Sequence, residues 1–472
     1  MVAIRLRPAK YLRSKGERRT RRRRDVCRRH IGMPNTASAR ITALSGILAR
    51  CLSASLLAAR PRLTAPERNG LLTMKVLLLS TAAVLTLVVA PSRAATIIVT
   101  NQSEFDSAIA TATQAGHADT IDASMAGPID PGTFLTLPGA ATSISLELGT
   151  LGIGTTAGDE TVTLGATTTV SFGQPGNPGL LNMGEGNTGI LNINGASLTF
   201  NVFETNEQFN IGLDGGDGIV NMTGGSVTMN DSNANLGNYG SISIGYPFGS
   251  TAANGTFNQS GGTVSLSAGA LNVGVANGDG TYNLSGSALA ELAGGTVYIG
   301  ATSQGVGVLN VTGGATFDLE SLGSGGQLYV GDDEGNGTIT QNGANSTVIL
   351  NVINIAKFGS NASRGPDPGG TGTYNLLAGT LRIGGLGAAF GADGGGIGIF
   401  NQSGGNLTAD APIFIGMSGN GTYNLSGGTA TLNAGLDDRS AGWIGRHLEP
   451  DGWRADDCRR PIDRGWPRNR YI

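Results

Sequence analysis

Apolar and polar side chains alternate over short runs between residues 181 and 446, and glycine, asparagine and aspartate separate these runs. Ser226–Met229 (SVTM) and Thr263–Leu266 (TVSL) are two examples. Because successive side chains of a strand point to opposite faces, this alternation predicts strands of about three to six residues. A sustained helical period does not occur in this region, so the pattern predicts an all-β fold.

One phrase recurs along this region: glycine, any residue, an aromatic or aliphatic residue, asparagine, any residue, serine or threonine, and two glycines. Gly421–Gly428 (GTYNLSGG) is a complete copy, Gly189–Asn192 (GILN) is an earlier and weaker one, and Thr340 fills the asparagine position of a degenerate one. The other asparagine positions are Asn221, Asn258, Asn283, Asn310, Asn375, Asn401 and Asn424. From Asn192 onward the copies are on average 29 residues apart, which is typical of solenoid proteins.

Two further segments accompany most copies of the phrase. An apolar segment follows its two glycines, as in Ala315–Leu319, and an aliphatic residue followed by glycine precedes it. These aliphatic–glycine pairs are Ile211-Gly212, Ile244-Gly245, Val273-Gly274, Ile299-Gly300, Val330-Gly331, Ile383-Gly384 and Ile415-Gly416. Each unit therefore predicts three short strands separated by turns.

A unit of three short strands cannot bury its own apolar side chains. Stacking such units at a spacing of roughly 4.8 Å closes the core and pairs every backbone group with the next coil. The predicted architecture is a parallel β-helix, right-handed by the general preference of crossover connections. Nine units would give a rod of roughly 40 Å. The glycines are expected at corners that need a positive φ.

The repeated asparagine has two interpretations. Most copies lie in Asn-x-Ser/Thr, the acceptor sequence for N-linked glycans. Alternatively, the same asparagine in every coil can stack its amide into a hydrogen-bonded ladder. We expect the ladder, formed by the seven asparagines from Asn221 to Asn424.

Residues 96–180 predict a capped end with irregular first coils. Thr96–Val99 is a short strand, and Ser103–Asp106 resembles a capping box. The apolar residues Phe105, Ala108, Ile109 and Ala112 then follow helical spacing as far as Gly116. We expect one amphipathic helix that covers the first coil and prevents end-to-end association. The repeat β-helix itself is predicted over residues 181–446.

Residues 74–95 have the composition of a secretory signal peptide. Lys75 precedes an apolar run over 76–90, and a small-residue ending predicts cleavage after Ala94 or Ala95. Residues 1–73 hold most of the arginines of the chain. Such a segment suits a polybasic arm for nucleic acid or an unusually long targeting segment. We expect instead that translation begins at Met74 and that 1–73 is untranslated or disordered.

The repeat pattern ends before residue 447. Trp443-Ile444-Gly445-Arg446 resembles the aliphatic–glycine pair of a tenth unit, whereas residues 447–472 lose the pattern and contain six arginines. We expect that this tail is not native and results from a frameshift. It contains neither barrel strands nor a Pro-Glu-Pro sorting motif.

The phrase GTYNLSGG with a preceding Ile-Gly resembles the repeat of autotransporter (type V secretion) passengers and of PEP-CTERM-associated proteins. The resemblance covers about residues 180–446. It implies export by a Gram-negative bacterium through the inner membrane, and secretion or display on the cell surface. It implies no defined activity, because this repeat is a scaffold for different functions.

Charge and residue types limit the chemistry of the repeat region. Residues 96–446 carry 5 Lys+Arg against 26 Asp+Glu and contain no cysteine. A carbohydrate-active enzyme on a β-helix needs paired carboxylates or a cationic base. No compact catalytic motif combines the carboxylates of this region with Lys357, Arg364, Arg382 or His117. We therefore expect no enzymatic activity.

The acidic turns suggest one candidate cofactor, calcium. Asp332, Asp333 and Glu334 lie in a glycine-flanked turn, and carboxylate oxygens suit calcium. Acidic turns that are only solvated and keep the rod soluble explain the same residues. No other cofactor is expected.

The sequence as a whole predicts an exported structural or adhesive β-helical protein. It would act in adhesion, matrix or biofilm by multivalent surface contacts, with extracellular polysaccharide or other surface ligands as partners. We expect no nucleic-acid partner, and membrane contact only through an anchor that this chain lacks. The alternative is a polysaccharide lyase or hydrolase on the same scaffold.

Overall fold

The computed structural model describes residues 96–438, except 116–118, 125, 127, 131–133, 138–143, 156–157, 176, 204–207, 232–239, 248–250, 268, 293–294, 321–325, 357–368 and 393–394. The predicted signal peptide with its cleavage at Ala94 or Ala95, the basic segment 1–73 and the tail 447–472 lie outside the described residues. His117, Lys357 and Arg364 also lie outside them.

The described residues contain 29 strands and one helix. In chain order they are β1 (Thr96–Ile98), α1 (Gln102–Ala115), β2 (Asp119–Ala123), β3 (Phe134–Leu137), β4 (Ile144–Leu148), β5 (Thr150–Ile153), β6 (Glu160–Gly165), β7 (Thr168–Phe172), β8 (Leu180–Glu185), β9 (Thr188–Val202), β10 (Gln208–Leu213), β11 (Asp217–Asp231), β12 (Ser241–Tyr246), β13 (Asn254–Gln259), β14 (Thr263–Leu266), β15 (Ala270–Val275), β16 (Asp279–Leu284), β17 (Leu289–Glu291), β18 (Thr296–Ala301), β19 (Val306–Thr312), β20 (Thr316–Asp318), β21 (Gln327–Asp332), β22 (Asn336–Ile355), β23 (Thr371–Phe390), β24 (Ile397–Gln402), β25 (Asn406–Ala409), β26 (Ile413–Ile415), β27 (Asn420–Leu425), β28 (Thr429–Leu432) and β29 (Leu436–Asp438).

These strands form three faces that wind around one core. The anchor face consists of β5, β8, β10, β12, β15, β18, β21, the ends of β22 and β23, β26 and β29. The asparagine face consists of β3, β6, the first parts of β9 and β11, β13, β16, β19, the first parts of β22 and β23, β24 and β27. The third face holds the remaining strands and the remaining parts of the long strands.

Every described strand pairs in parallel with the equivalent strand of a neighbouring coil, and the stack has about nine turns. The predicted all-β parallel β-helix is therefore confirmed. Its right-handedness stays a prediction from the crossover rule. The phrase residues keep one register throughout, so that Asn221 pairs with both Asn192 and Asn258.

The corner between the anchor face and the asparagine face explains why two glycines recur in most coils. Gly212 has a φ of +76°, and a Cβ on it would lie 2.0 Å from the carbonyl oxygen of Asn254 in the next coil. A Cβ on Gly218 would lie 2.0 Å from the Gly212 nitrogen. Both distances are far below van der Waals contact, so these corners favour glycine at both positions. Other residues do occur there: Ala356 takes the first position in one coil at a φ of +57°, and Glu160 takes the second in another.

One predicted aliphatic–glycine pair is wrong. Ile383 lies on the third face, where it pairs with Leu350 and Ala409, and Gly384 does not have a positive φ. In that coil the anchor position belongs to Phe390, followed by Gly391 at a φ of +65°. The pair was misplaced because β23 runs over all three faces, so an aliphatic residue before glycine also occurs within its third-face part.

The core is a continuous column of inward side chains from the three faces. Aromatic rings stack along it, with 4.6 Å between the centroids of Phe172 and Phe200 and 5.2 Å between those of Phe390 and Phe400. Stacked rings at these distances add to the free energy of burial. The column supplies the hydrophobic stabilisation that a single coil lacks.

The predicted capping helix is present as α1, and its apolar residues Phe105, Ala108, Ile109 and Ala112 are buried. Its N-cap differs from the predicted one, because Asn101 Oδ1 accepts a hydrogen bond from the Glu104 nitrogen at 3.1 Å. The Glu104 carboxylate in turn accepts one from the Thr100 nitrogen at 2.8 Å. The pair resembles a capping box with Asn101 as the N-cap, two residues before Ser103, but Glu104 accepts from the residue that precedes the N-cap.

Candidate interaction surface

The structure places the predicted asparagines in one column on the outside of the asparagine face. Except at Asn375, each Nδ2 donates to the Oδ1 of the asparagine one coil earlier, at 3.0 Å from Asn221 to Asn192 and at 2.8 Å from Asn310 to Asn283. In the coils between these pairs, Asn258 donates to Asn221 and Asn283 donates to Asn258 in the same way. A second segment of the ladder joins Asn375, Asn401 and Asn424 at 2.8 to 2.9 Å. Thr340 separates the two segments, since it pairs with Asn310 on one side and Asn375 on the other.

A second column runs beside the asparagines, two residues earlier in each strand. Every member is β-branched and half-buried. The members are Ile190, Ile219, Thr256, Thr281, Val308, Thr338, Thr373, Ile399 and Thr422. We call this column together with the asparagine column (Asn192 to Asn424, including Thr340) the outer lattice. The outer lattice carries no charge, and all its strands keep the same register.

Three buried glutamines face the core one position after the ladder residue, a feature that the sequence analysis missed. Gln259 Oε1 accepts a hydrogen bond from the Tyr282 hydroxyl at 2.5 Å, and both side chains are fully buried. The hydroxyls of Tyr374 and Tyr423 donate in the same way to Gln341 and Gln402. Burial raises the pKa of Tyr282. The signal was present in the sequence, because each of these glutamines is followed one unit later by tyrosine at the aromatic position.

The acidic turn proposed for calcium lies at the corner after β21. Asp333 and Glu334 have φ values of +46° and +70°, and the three carboxylates are half-buried. The pKa of Tyr298 is raised by burial and then by the negative charge of Asp332 and by Tyr329. Within the part of the chain that the structure describes, no three His, Cys, Asp or Glu side chains are grouped to hold a metal ion. Calcium at Asp332, Asp333 and Glu334 stays a prediction.

Arg382 is the only lysine or arginine among the described residues. Its guanidinium contacts Glu320 at 2.9 Å and Asp410 at 3.2 Å on the third face. The Asn433 amide and then the Arg382 guanidinium lower the pKa of Asp410. Among the described residues, this one cation is thus engaged in two ion pairs, with Asp410 in the next coil and with Glu320 two coils earlier.

Glu160 begins β6 on the asparagine face, at the position where Gly189 stands in the next coil. Its side chain is 3% exposed, and Oε2 accepts a hydrogen bond from the Gly154 nitrogen at 2.5 Å. Burial raises the pKa of Glu160 to about 7, and the Asp130 carboxyl beside it contributes in the same direction. The carboxyl group is too deeply enclosed to reach a polymeric substrate.

A small cavity lies inside the first coils beneath α1. Its lining is entirely apolar and includes Phe105, Leu146 and Phe172. It therefore offers no group for acid–base chemistry.

In comparisons with known proteins, no family model matches the chain, and neither a curated protein nor a solved structure matches it. Among the described residues, α1 is too short and too polar to cross a membrane.

Proposed function

We propose that this chain is an exported, non-enzymatic β-helical scaffold of a Gram-negative bacterium that acts in adhesion, matrix or biofilm. One observation carries the proposal: the outer lattice presents the same groups, in one register, coil after coil. A ligand that contacts several coils gains effective concentration with each additional contact, so weak sites combine into strong attachment. The signal-peptide composition of residues 74–95 supports the export.

The charge of the scaffold argues against nucleic acid and anionic lipid as its partners. Residues 96–446 carry 26 acidic against 5 basic residues. A net negative rod resists self-association and does not attract nucleic acid or anionic lipid. The alternative, a carbohydrate-active enzyme, draws no support from the enclosed Glu160 carboxyl.

Removal of whole coils tests the multivalent mechanism. Deletion of residues 259–310 joins Asn258 to Val311 and removes two coils together with the Gln259–Tyr282 pair. Deletion of residues 402–424 removes one coil in the same manner. Binding of the purified variants to the producing cells and their matrix is measured by fluorescence, after circular dichroism has shown that each variant is folded.

The expected result is graded. The two-coil deletion weakens attachment more than the one-coil deletion, although the two deletions remove different parts of the rod. A variant that loses all binding beside one that keeps all of it would indicate a single local site and contradict the proposal. Turnover of a polysaccharide by the intact protein would favour the enzyme instead.

A further inference from the structure

The outer lattice presents unused hydrogen-bonding capacity at regular intervals. A side-chain amide has two N–H donors and two acceptor lone pairs. The ladder uses one donor and one lone pair of an internal asparagine such as Asn258, which donates to Asn221 and accepts from Asn283. The other donor and lone pair stay available to a ligand. The hydroxyls of Thr256 and Thr281 lie in the neighbouring column of the same coils.

These groups are held in place before any ligand arrives. An internal ladder amide such as Asn258 is fixed by its neighbours in two coils, and a β-branched side chain such as Thr281 has few χ1 rotamers. Little side-chain entropy is therefore lost on binding, which favours even weak individual contacts. The interval between equivalent groups is the coil spacing of about 4.8 Å.

The charge and composition of the surface select the class of ligand. An anionic polymer would meet a negative rod whose single described cation, Arg382, is already paired with Glu320 and Asp410. Protein partners are usually held by aromatic or arginine anchors, and the outer lattice contains neither. A second copy of the chain would bring two net negative rods together.

We propose that the outer lattice binds a neutral, extended polysaccharide whose hydroxyl groups contact the asparagine and threonine side chains of successive coils. The advance per sugar residue of such a chain is similar to the coil spacing, so that neighbouring sugar residues can contact neighbouring coils. The methyl groups of Ile219 and Val308 contact the apolar ring faces between the hydroxyls. This assignment rests on the proposed scaffold function and names its ligand.

The test uses two triple variants of the full chain that carry the same charge in the same three coils. The lattice variant is Thr256→Glu, Thr338→Glu and Thr422→Glu. The control variant is Ser265→Glu, Thr347→Glu and Thr431→Glu, whose residues point outward on the third face. Both sets leave the core unchanged, and circular dichroism checks their folding.

Binding is measured by co-sedimentation with insoluble cellulose and with chitin, and with alginate-coated beads as the anionic comparison. The unmodified chain and the control variant are expected to sediment with at least one of the neutral polymers, and the lattice variant at least tenfold less. Equal sedimentation of the two variants would overturn the assignment to this face. Retention on alginate alone would overturn the ligand class.

Analytical ultracentrifugation of the same proteins tests the remaining occupant, a second copy of the chain. A dimer that the lattice variant dissociates would identify a second copy as the occupant and overturn the proposal. Failure of the lattice assignment is distinguishable from failure of the scaffold function. If the lattice variant loses no cell attachment while coil deletion still weakens it, the scaffold function stands and the lattice assignment falls.

Discussion

The buried pair of Gln259 and Tyr282 gives the sharpest test of how the core tolerates polar groups. Tyr282→Phe removes the hydroxyl that donates to Gln259 Oε1 at 2.5 Å and leaves this acceptor in a fully buried position. Gln259→Leu leaves the tyrosine hydroxyl without its acceptor. It also removes the Nε2 bonds to the carbonyl oxygens of Gly262 at 3.0 Å and Leu289 at 3.1 Å. Each single change should cost about 1–3 kcal/mol of the free energy of unfolding.

The double variant Gln259→Leu/Tyr282→Phe should recover the part of this loss that comes from the unpaired hydroxyl and the unpaired Oε1, whereas the two Nε2 bonds stay lost. It reproduces an apolar combination that the chain already uses, because Phe400 follows Leu376 one coil later. Replacing both partners by apolar groups of similar shape is close to neutral. We therefore expect the double variant to be at least about 1 kcal/mol more stable than the sum of the single changes indicates.

Urea-induced unfolding, followed by far-ultraviolet circular dichroism, measures the four proteins of the cycle through their midpoints and slopes. A matched control combines Gln259→Leu with Tyr374→Phe, whose hydroxyl donates to Gln341 instead. Those two changes should be additive because they share no partner. Additivity in the Gln259–Tyr282 cycle as well would refute the view that the hydrogen bond couples the two coils.

Three further outcomes follow from single positions. Thr340→Asn should join the two ladder segments and raise stability by about 0.5–1.5 kcal/mol in urea unfolding, whereas Thr338→Asn in the neighbouring column should not. Gly186 has a φ of +78° and open space where a Cβ would lie, so Gly186→Ala should lower the free energy of unfolding by about 1–2 kcal/mol. Gly212→Ala should lower it clearly more, because its Cβ would lie 2.0 Å from a carbonyl oxygen. Equal losses of stability in urea unfolding would contradict the corner geometry. Glu160 binds a proton more tightly in the folded state, so its contribution to stability is greatest below its usual pKa of 4.5 and is lost as pH rises to about 7. Glu160→Gln should remove this dependence in thermal melts between these pH values, and an unchanged profile would contradict it.

The sequence alone was sufficient for the architecture. The spacing of Asn192 to Asn424, the flanking glycines and the strand alternation predict stacked three-strand coils, because a short amphipathic unit can bury its apolar side only against copies of itself. The helical spacing of Phe105 to Ala112 likewise predicts α1. These features are local and repeat many times, so single irregular units do not obscure them.

Only the tertiary structure decided which residues meet across coils. The stacking register turns Gln259 and Tyr282, which are 23 positions apart, into a buried pair, and it places Ile383 on the third face instead of the anchor face. It also encloses Glu160 beside Asp130. Such contacts depend on the length of every corner between two strands, and insertions change that length without changing the local pattern from which strands are predicted.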